Sequence, residues 1–436
     1  MKNKTLMDSI IIGFATFAIF FGAGNLIFPP FIGFTSGTEW VPALLGMTLT
    51  GVILPVLGIV AVSNSGGTFA DLTKPIAPWF YKVFCTLIMI VIGTFINVPR
   101  TAGTSYEVAI QPFFPNFSTV LFSIIFFAIV FLVSANKAKV IDTIGKFFTP
   151  FKFGLLLVIV AVAIFSPIGN PISTNLSQPF LNAFVQSYQT ADVLTGLLVS
   201  NIIIAAIRAK GYAGKELKKV TIYVSAIAGL GLFVIYGGLL YLGASGSQVI
   251  SNNNIERTSL LVELMKKLMG QGGLTLLALC VLLACVVTAI GLTSATSDFL
   301  TDLTKNKIPY TVWVAINTII SAIFANVKVD ALISAAAPIF LALYPISIIL
   351  VILGLCRKYI PNRGSYIGTA CFTFIFSLND AFNAMGIKSD VFNSFVANIP
   401  FSSQGFTWLI PAIVGFIAGT IIYKIFIKKP SDIIAA

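Results

Sequence analysis

The chain has 436 residues, 57% of them hydrophobic and only 10% charged, where a soluble domain carries roughly a quarter charged residues. Its apolar runs are long enough for helices across about 30 Å of hydrocarbon and lack the alternating polarity of a membrane barrel, which excludes a soluble fold and a β-barrel alike. Histidine is absent, which removes His-based metal sites, His-dependent triads and a histidine proton relay.

Twelve spans follow, at about 8–34, 41–63, 77–98, 118–134, 148–166, 181–206, 220–243, 273–297, 309–326, 331–355, 365–382 and 405–427. The reading is an all-α polytopic membrane protein. An even number of spans puts both termini on one side. The first run follows Met-Lys-Asn-Lys with no small-residue cleavage site after it, so it reads as a retained helix and not a signal peptide. The formal charge of +12 is unevenly spread. Most lysines and arginines, Lys152 and the loop residues Lys137, Lys139, Lys146, Lys428 and Lys429 among them, fall on the side of the termini. Arg100, Arg257, Lys266, Lys267, Lys328 and Lys388 fall on the other. This bias is the positive-inside rule: it places both termini in the cytoplasm and records topology, not a nucleic-acid partner.

Within the first span, "FFGAGNLIFPP" (Phe20 to Pro30) gathers two glycines, an asparagine and two prolines. Gly costs about 1 kcal/mol and Pro about 3 kcal/mol against Ala inside a helix. A break in hydrocarbon frees backbone groups and so must line protein or a hydrated cavity. N–H groups around Gly22, Ala23 and Gly24 suit a carboxylate at the positive end of the outer half-helix, and the carbonyls closing the inner half suit a small hard cation. Close helix packing is the alternative use of the two glycines, but it leaves Asn25, Pro29 and Pro30 without a reason.

The third span runs into "PRTAGTS" (Pro99 to Ser105), with outer loops near 99–117, 244–272 and 383–404. Arg100 and Glu107 read as a pair at the membrane edge rather than as a substrate clamp. The sixth span, "AFVQSYQTADVLTGLLVS", is interrupted like the first, with Gln186, Gln189, Thr190, Asp192 and Thr195 at mid-membrane. Asp192 is the one acidic residue placed near the midplane, where an ionisable group is usually functional. Pairing with a substrate ammonium, standing near a bound cation and carrying a proton are all open to it, as is capping the outer half of helix 6 with Thr190. Broken spans five apart point to a binding site between two inverted five-helix repeats.

Further along, "IERTSLLVELMKKLMG" (Ile255 to Gly270) puts Leu260, Leu261, Leu264 and Leu268 on one side of a short amphipathic helix on the outer face, a lid or a packing element. The eighth span offers Thr293, Ser294 and Ser297, hydroxyls that would either complete an oxygen shell for sodium or bond back to their own helix. Cys85, Cys280, Cys285, Cys356 and Cys371 fall in or at the edges of spans, form no C-x-x-C pair and read as apolar fillers. No G-x-x-x-x-G-K-[ST] motif occurs, and no Ser/Lys or paired-Asp constellation of an intramembrane hydrolase. A channel would want a continuous polar stripe or charge rings; here the polar groups gather at one depth. No enzyme activity and no organic cofactor are expected.

"GFATFAIFFGAGNLIFPPFIG" (Gly13 to Gly33) resembles the first-helix signature of the bacterial branched-chain amino acid:cation symporters, the LIVCS family of the amino acid–polyamine–organocation superfamily. "PRTAGTSYE" (Pro99 to Glu107), "SYQTADVLTGL" (Ser187 to Leu197) and "AIGLTSATSDF" (Ala289 to Phe299) are similar to that family's runs at the same places, so the resemblance covers essentially the whole chain. It implies a LeuT-type 5+5 inverted repeat with broken helices 1 and 6, a transport core over 1–355 and peripheral helices 11 and 12 over 356–436. It implies uptake of leucine, isoleucine and valine across the bacterial inner membrane by sodium symport with alternating access, or by proton symport with Asp192 as the carrier. Carried over, the substrate carboxylate falls to Gly22, Ala23 and Gly24, and its ammonium to backbone near Tyr188 and Thr190 with Asp192. Sodium falls to the carbonyls of Ala18 and Phe21 with Thr293 and Ser294, Ser297 being the neighbour that a shift of register would bring in. Asn25 stands where relatives with a second sodium place an amide. Many relatives have Met before the aspartate of the sixth span; here it is Ala191.

Overall fold

The computed structural model describes residues 2–136, 149–251 and 254–426. Lys137, Lys139, Lys146, Lys428 and Lys429 lie outside the described residues. Among the described residues the regular structure is all helical, interrupted by connections such as 166–178, and its helices group into twelve spans. Span 1 is two pieces, Lys2–Phe20 and Gly24–Ser36. Span 2 covers 40–65 and span 3 covers 80–110, each with π-helical turns, Leu49–Ile53 in one, Leu87–Asn97 and Tyr106–Ile110 in the other. Spans 4 and 5 are Thr119–Ser134 and Thr149–Phe165. Span 6 is broken into Pro179–Gln186, a 3-10 turn over Ser187–Thr190, and Asp192–Ala209. Spans 7 to 12 are Gly214–Gly246, the latter part of Arg257–Leu303, Tyr310–Phe324, Val329–Leu355, Arg363–Ala384 and Leu409–Phe426.

The local chemistry explains the joints. Gly270, at φ +61°, turns the outer helix that starts at Arg257 into span 8, a left-handed conformation that glycine takes without a Cβ penalty. On that outer helix Leu260, Leu261 and Leu264 are buried and Leu268 packs against the core, as its amphipathic pattern requires. Ser118 and Asn362 accept the N–H groups of Leu121 and Ser365 at the starts of spans 4 and 11. The outer surface is apolar (Ile124, Leu132 and Ile319 are among its exposed residues) because the solvent on that side is lipid.

Close packing uses glycines other than those of the first break. Gly33 lies so near span 7 that a Cβ there would stand 1.8 Å from the Leu240 carbonyl oxygen, and Gly243 meets the Pro30 carbonyl in the same way. Spans 11 and 12 pair through Gly364, Gly368, Gly415 and Gly419. The breaks in spans 1 and 6 stand at equivalent places of the two five-helix halves, the arrangement of a LeuT-type inverted repeat.

Four features differ from the sequence reading. Helix continues through 98–110, so the third span reaches well into the stretch read as an outer loop. Asp192 begins Asp192–Ala209, the half of span 6 nearer the termini, and therefore does not cap the outer half. Of the cysteines read as apolar fillers, Cys85, Cys280 and Cys285 are buried, whereas Cys356 and Cys371 are exposed. Arg100 and Lys152, counted to the two surfaces, are both buried in the bundle, 3% and 2% exposed.

Candidate functional site

The first break is a stretch of backbone from Phe21 to Ala23. Phe21 N–H still reaches back to the Phe17 carbonyl at 3.0 Å, and the next half-helix restarts with Leu26 N–H donating to Ala23 at 3.2 Å. Between them, Gly22 N–H donates to Oδ1 of Asn25 at 3.0 Å, so the amide side chain serves an N–H that the helix has released. A Cβ on Gly22 would stand 3.1 Å from the Thr288 hydroxyl of span 8.

The second break is made by Ala191 in the left-handed region, φ +61°, which costs a residue with a Cβ about 1–2 kcal/mol. Its N–H donates to the Tyr188 carbonyl at 3.0 Å, and the Thr190 hydroxyl donates to the Ser187 carbonyl at 2.8 Å. Thr190 thus stabilises the turn itself. Tyr188 is buried and stacks on Tyr344 of span 10 with ring centroids 4.2 Å apart, while the Tyr344 hydroxyl accepts Val193 N–H at 3.2 Å.

The two breaks meet through Asn25 and Asp192. Nδ2 of Asn25 donates to both carboxylate oxygens of Asp192, at 2.9 and 3.0 Å, and touches the Tyr236 hydroxyl. Tyr236, from span 7, donates to Oδ2 of Asp192 at 2.9 Å. Asp192 is 1% exposed and stands in the first turn of its half-helix, where the dipole favours an anion. A Cβ on Gly51 of span 2 would lie 3.6 Å from Oδ2, so small size there leaves the carboxylate its room.

Two buried cations complete the site. Lys152 of span 5 points its ammonium at the end of the half-helix Lys2–Phe20, donating to the Phe21 carbonyl at 2.8 Å and lying 3.5 Å from the Ala18 carbonyl. It also lies 5.4 Å from the centre of the Phe21 ring. The carbonyls expected to hold sodium hold the ammonium of the protein instead. Thr293, Ser294 and Ser297 on span 8 keep buried hydroxyls with no hydrogen-bond partner among the described residues, and none of them bonds to Ala18 or Phe21. The helix that carries Lys152 begins at Thr149, so this residue sits inside the span and not at its loop. Arg100 of span 3 donates from Nη1 to the Gln189 carbonyl at 3.1 Å, within the second break. Its Nη2 would lie 2.9 Å from a Cβ on Gly24, at the first.

Arg100 and Glu107 are not a pair. Glu107 instead joins the far side of the bundle, accepting the Thr258 hydroxyl at 2.7 Å and Val329 N–H at 3.0 Å. Beside it Arg257 bonds Asp330 at 2.7 Å and lies 4.2 Å from the centre of the Phe31 ring, and Lys328 bonds Glu256 at 2.8 Å. That last pair holds the Lys328 pKa above the usual lysine value. Together these contacts tie the outer helix to spans 1, 3 and 10 over the site. On the side of the termini, Asp8 meets Lys210 at 3.3 Å and the Tyr212 hydroxyl at 3.0 Å.

Gly22, Ala23, Gly24, Asn25, Tyr188, Thr190 and Asp192 are therefore gathered at one place, with Asn25 and Asp192 bonded to each other. Lys152, Tyr236, Tyr344 and Arg100 were not part of the expected set. A lone lysine inside "TPFKFGLLLVIV" and a tyrosine in mid-span 7 were the available signals.

A family profile described as "Branched-chain amino acid transport protein" matches residues 5–426. The chain is 38% identical to the branched-chain amino acid permease BrnQ of Bacillus subtilis, over 99% of this chain and 100% of that protein. It is 32% identical to the branched-chain amino acid transport system 2 carrier protein of Pseudomonas aeruginosa, with 100% of both covered. Among solved structures it resembles a Na+-coupled sialic acid symporter, with a TM-score of 0.57 at 15% identity over 96% of this chain and 90% of that one. MhsT in complex with L-phenylalanine gives a TM-score of 0.56 at 14% identity over 94% and 98%. At such identities these two likenesses bear on the fold alone.

Proposed function

The chain belongs to the family of branched-chain amino acid transport proteins, and from that premise we propose that it takes up leucine, isoleucine and valine across the bacterial inner membrane by alternating access, driven by a cation gradient. The observation that carries this is the bonded meeting of two broken helices around Asn25 and Asp192 in the core of the bundle. Unwound backbone at mid-membrane is retained where it serves a substrate. The substrate ammonium is taken by Asp192, with backbone near Tyr188 and Thr190, and the carboxylate by the break at Gly22, Ala23 and Gly24. Both termini face the cytoplasm.

For the driving ion, the position of Lys152 favours protons over sodium. Its ammonium stands on the Phe21 and Ala18 carbonyls. A sodium ion about 4 Å from that charge would be opposed by about 4 kcal/mol at an effective dielectric of 20. The sodium reading keeps the unpartnered hydroxyls of Thr293, Ser294 and Ser297 as oxygen ligands and requires Lys152 to leave. In the proton reading Lys152 holds the transported proton and supplies the charge at the break, and Asp192 stays ionised for the substrate ammonium.

Hydrocarbon walls separate side chains differing by one methylene by only about 1–3 kcal/mol. The test is competition for labelled leucine uptake into proteoliposomes. Isoleucine and valine should compete within about tenfold of leucine, and lysine and glutamate should not compete. Uptake blocked equally by charged amino acids would overturn the substrate assignment.

A further inference from the structure

Arg100 is a charge without a counter-ion. It is 3% exposed, and no carboxylate lies within 4 Å of its guanidinium among the described residues. Its single hydrogen bond goes to the Gln189 carbonyl at 3.1 Å, and Nε has no partner. One turn along the same helix, the buried Thr104 hydroxyl has none either. Asp192, the carboxylate at the two breaks, accepts from Asn25 and Tyr236 and forms no ion pair with Arg100 among the described residues, which leaves acceptor sites on it open.

The guanidinium also faces the wrong end of a helix to be at rest. It lies against Gly24, the first residue of the half-helix Gly24–Ser36. That end carries the positive pole of the helix dipole. A cation beside a positive pole, buried and with unused donors, is an arrangement that an anion between them would stabilise. Glycine at 24 is what allows the approach, since a Cβ would stand 2.9 Å from Nη2. Among the described residues the charges that bond to the two breaks are Arg100, Lys152 and Asp192, two positive and one negative, while Arg257, over the same Phe28 ring as Arg100, is paired with Asp330. Lys152 is engaged by two carbonyls of span 1, which leaves Arg100 and Asp192 to face the two ends of a zwitterion.

We propose that Arg100 binds the substrate carboxylate, together with the backbone at Gly24. This rests on the amino-acid reading above and adds to it a side chain from span 3 that the expected carboxylate site, backbone alone, does not contain. Guanidinium and carboxylate match as a bidentate pair, so the assignment requires a planar anion and not merely a polar group.

The test measures binding of leucine and of leucinamide, in which a neutral amide replaces the carboxylate, to the purified full chain. The unaltered protein should prefer leucine by about 30-fold or more, the range for removing one partner of a buried charge pair. Arg100→Gln should lose that factor for leucine while leucinamide changes by less than about threefold, and Arg100→Lys should recover part of it. If both ligands weaken equally in Arg100→Gln, the residue only holds the Gln189 carbonyl and the proposal is overturned. Should Arg100→Gln fail to fold, the unaltered protein still decides: equal binding of leucine and leucinamide overturns the assignment. Absence of any leucine binding by the folded, unaltered protein would overturn the amino-acid reading itself, and with it this one.

Discussion

Asn25 and Asp192, 167 positions apart, are joined by Nδ2 donating to both carboxylate oxygens, while Oδ1 of the same amide accepts Gly22 N–H. One side chain thus serves the released backbone of the first break and the buried carboxylate of the second. Asn25→Leu would leave the Gly22 N–H and the Asp192 oxygens short of partners, at about 1–3 kcal/mol for each unsatisfied group. The substrate-free protein should melt several degrees lower in detergent and lose leucine uptake. Unchanged melting would mean that the two breaks are held together by other contacts.

Asp192→Asn keeps the size of the side chain and removes the charge. Leucine binding should fall by about 30-fold or more, as when one partner of a buried charge pair is lost. Binding of 4-methylpentanoate, which lacks the ammonium, should change little. Equal losses for both would take Asp192 out of the substrate shell.

Gly24→Ala places a methyl 2.9 Å from Nη2 of Arg100. The neighbour is the far end of a flexible side chain, so the fold should survive with its melting temperature nearly unchanged. Leucine affinity should drop by about tenfold, about 1.4 kcal/mol, as the guanidinium is pushed aside.

Gly33→Ala is different in kind, because its methyl would meet the Leu240 backbone at 1.8 Å. Spans 1 and 7 would have to separate, at a cost of about 3 kcal/mol. Gly237→Ala, on the same span 7 but with no neighbour nearer than 3.7 Å, should melt like the parent. The comparison separates a glycine needed for close packing from one that is not.

Lys328 owes its raised pKa first to the hydrogen bond and charge of Glu256. Stability from this pair is fully present below the ordinary lysine value of about 10.4 and is lost as pH rises through the higher folded value. Glu256→Gln should shift acetylation of Lys328, which needs the neutral amine, to lower pH. An unmoved acetylation midpoint would show that the ion pair does not form in solution.

Much of this was legible in residues. "FFGAGNLIFPP" and "SYQTAD" contain breakers that a continuous apolar helix would not hold, and the structure breaks both spans there. The pairing of Asn25 with Asp192 was not legible, since nothing local links two positions in different halves of a bundle. Lys152 and Arg100 were misplaced for one physical reason. Both stand near the ends of hydropathy-defined spans, where long basic side chains usually snorkel to the interface. Here their helices run on past those ends or turn them inward, so that each charge meets free carbonyls of a broken helix. Hydropathy locates a span but not the face a charge turns to. Tyr236 was hidden because its hydroxyl matters only beside Asp192.

The most direct measurement is accumulation of radiolabelled leucine in proteoliposomes under an inward proton gradient without sodium, an inward sodium gradient without a proton gradient, or no gradient. Lys152 on the Phe21 carbonyl predicts accumulation with protons alone and little gain from sodium. Accumulation with sodium alone would return the ion to the Ala18 and Phe21 carbonyls and contradict the role given to Lys152. No accumulation under any gradient would contradict the transporter driven by a cation gradient altogether.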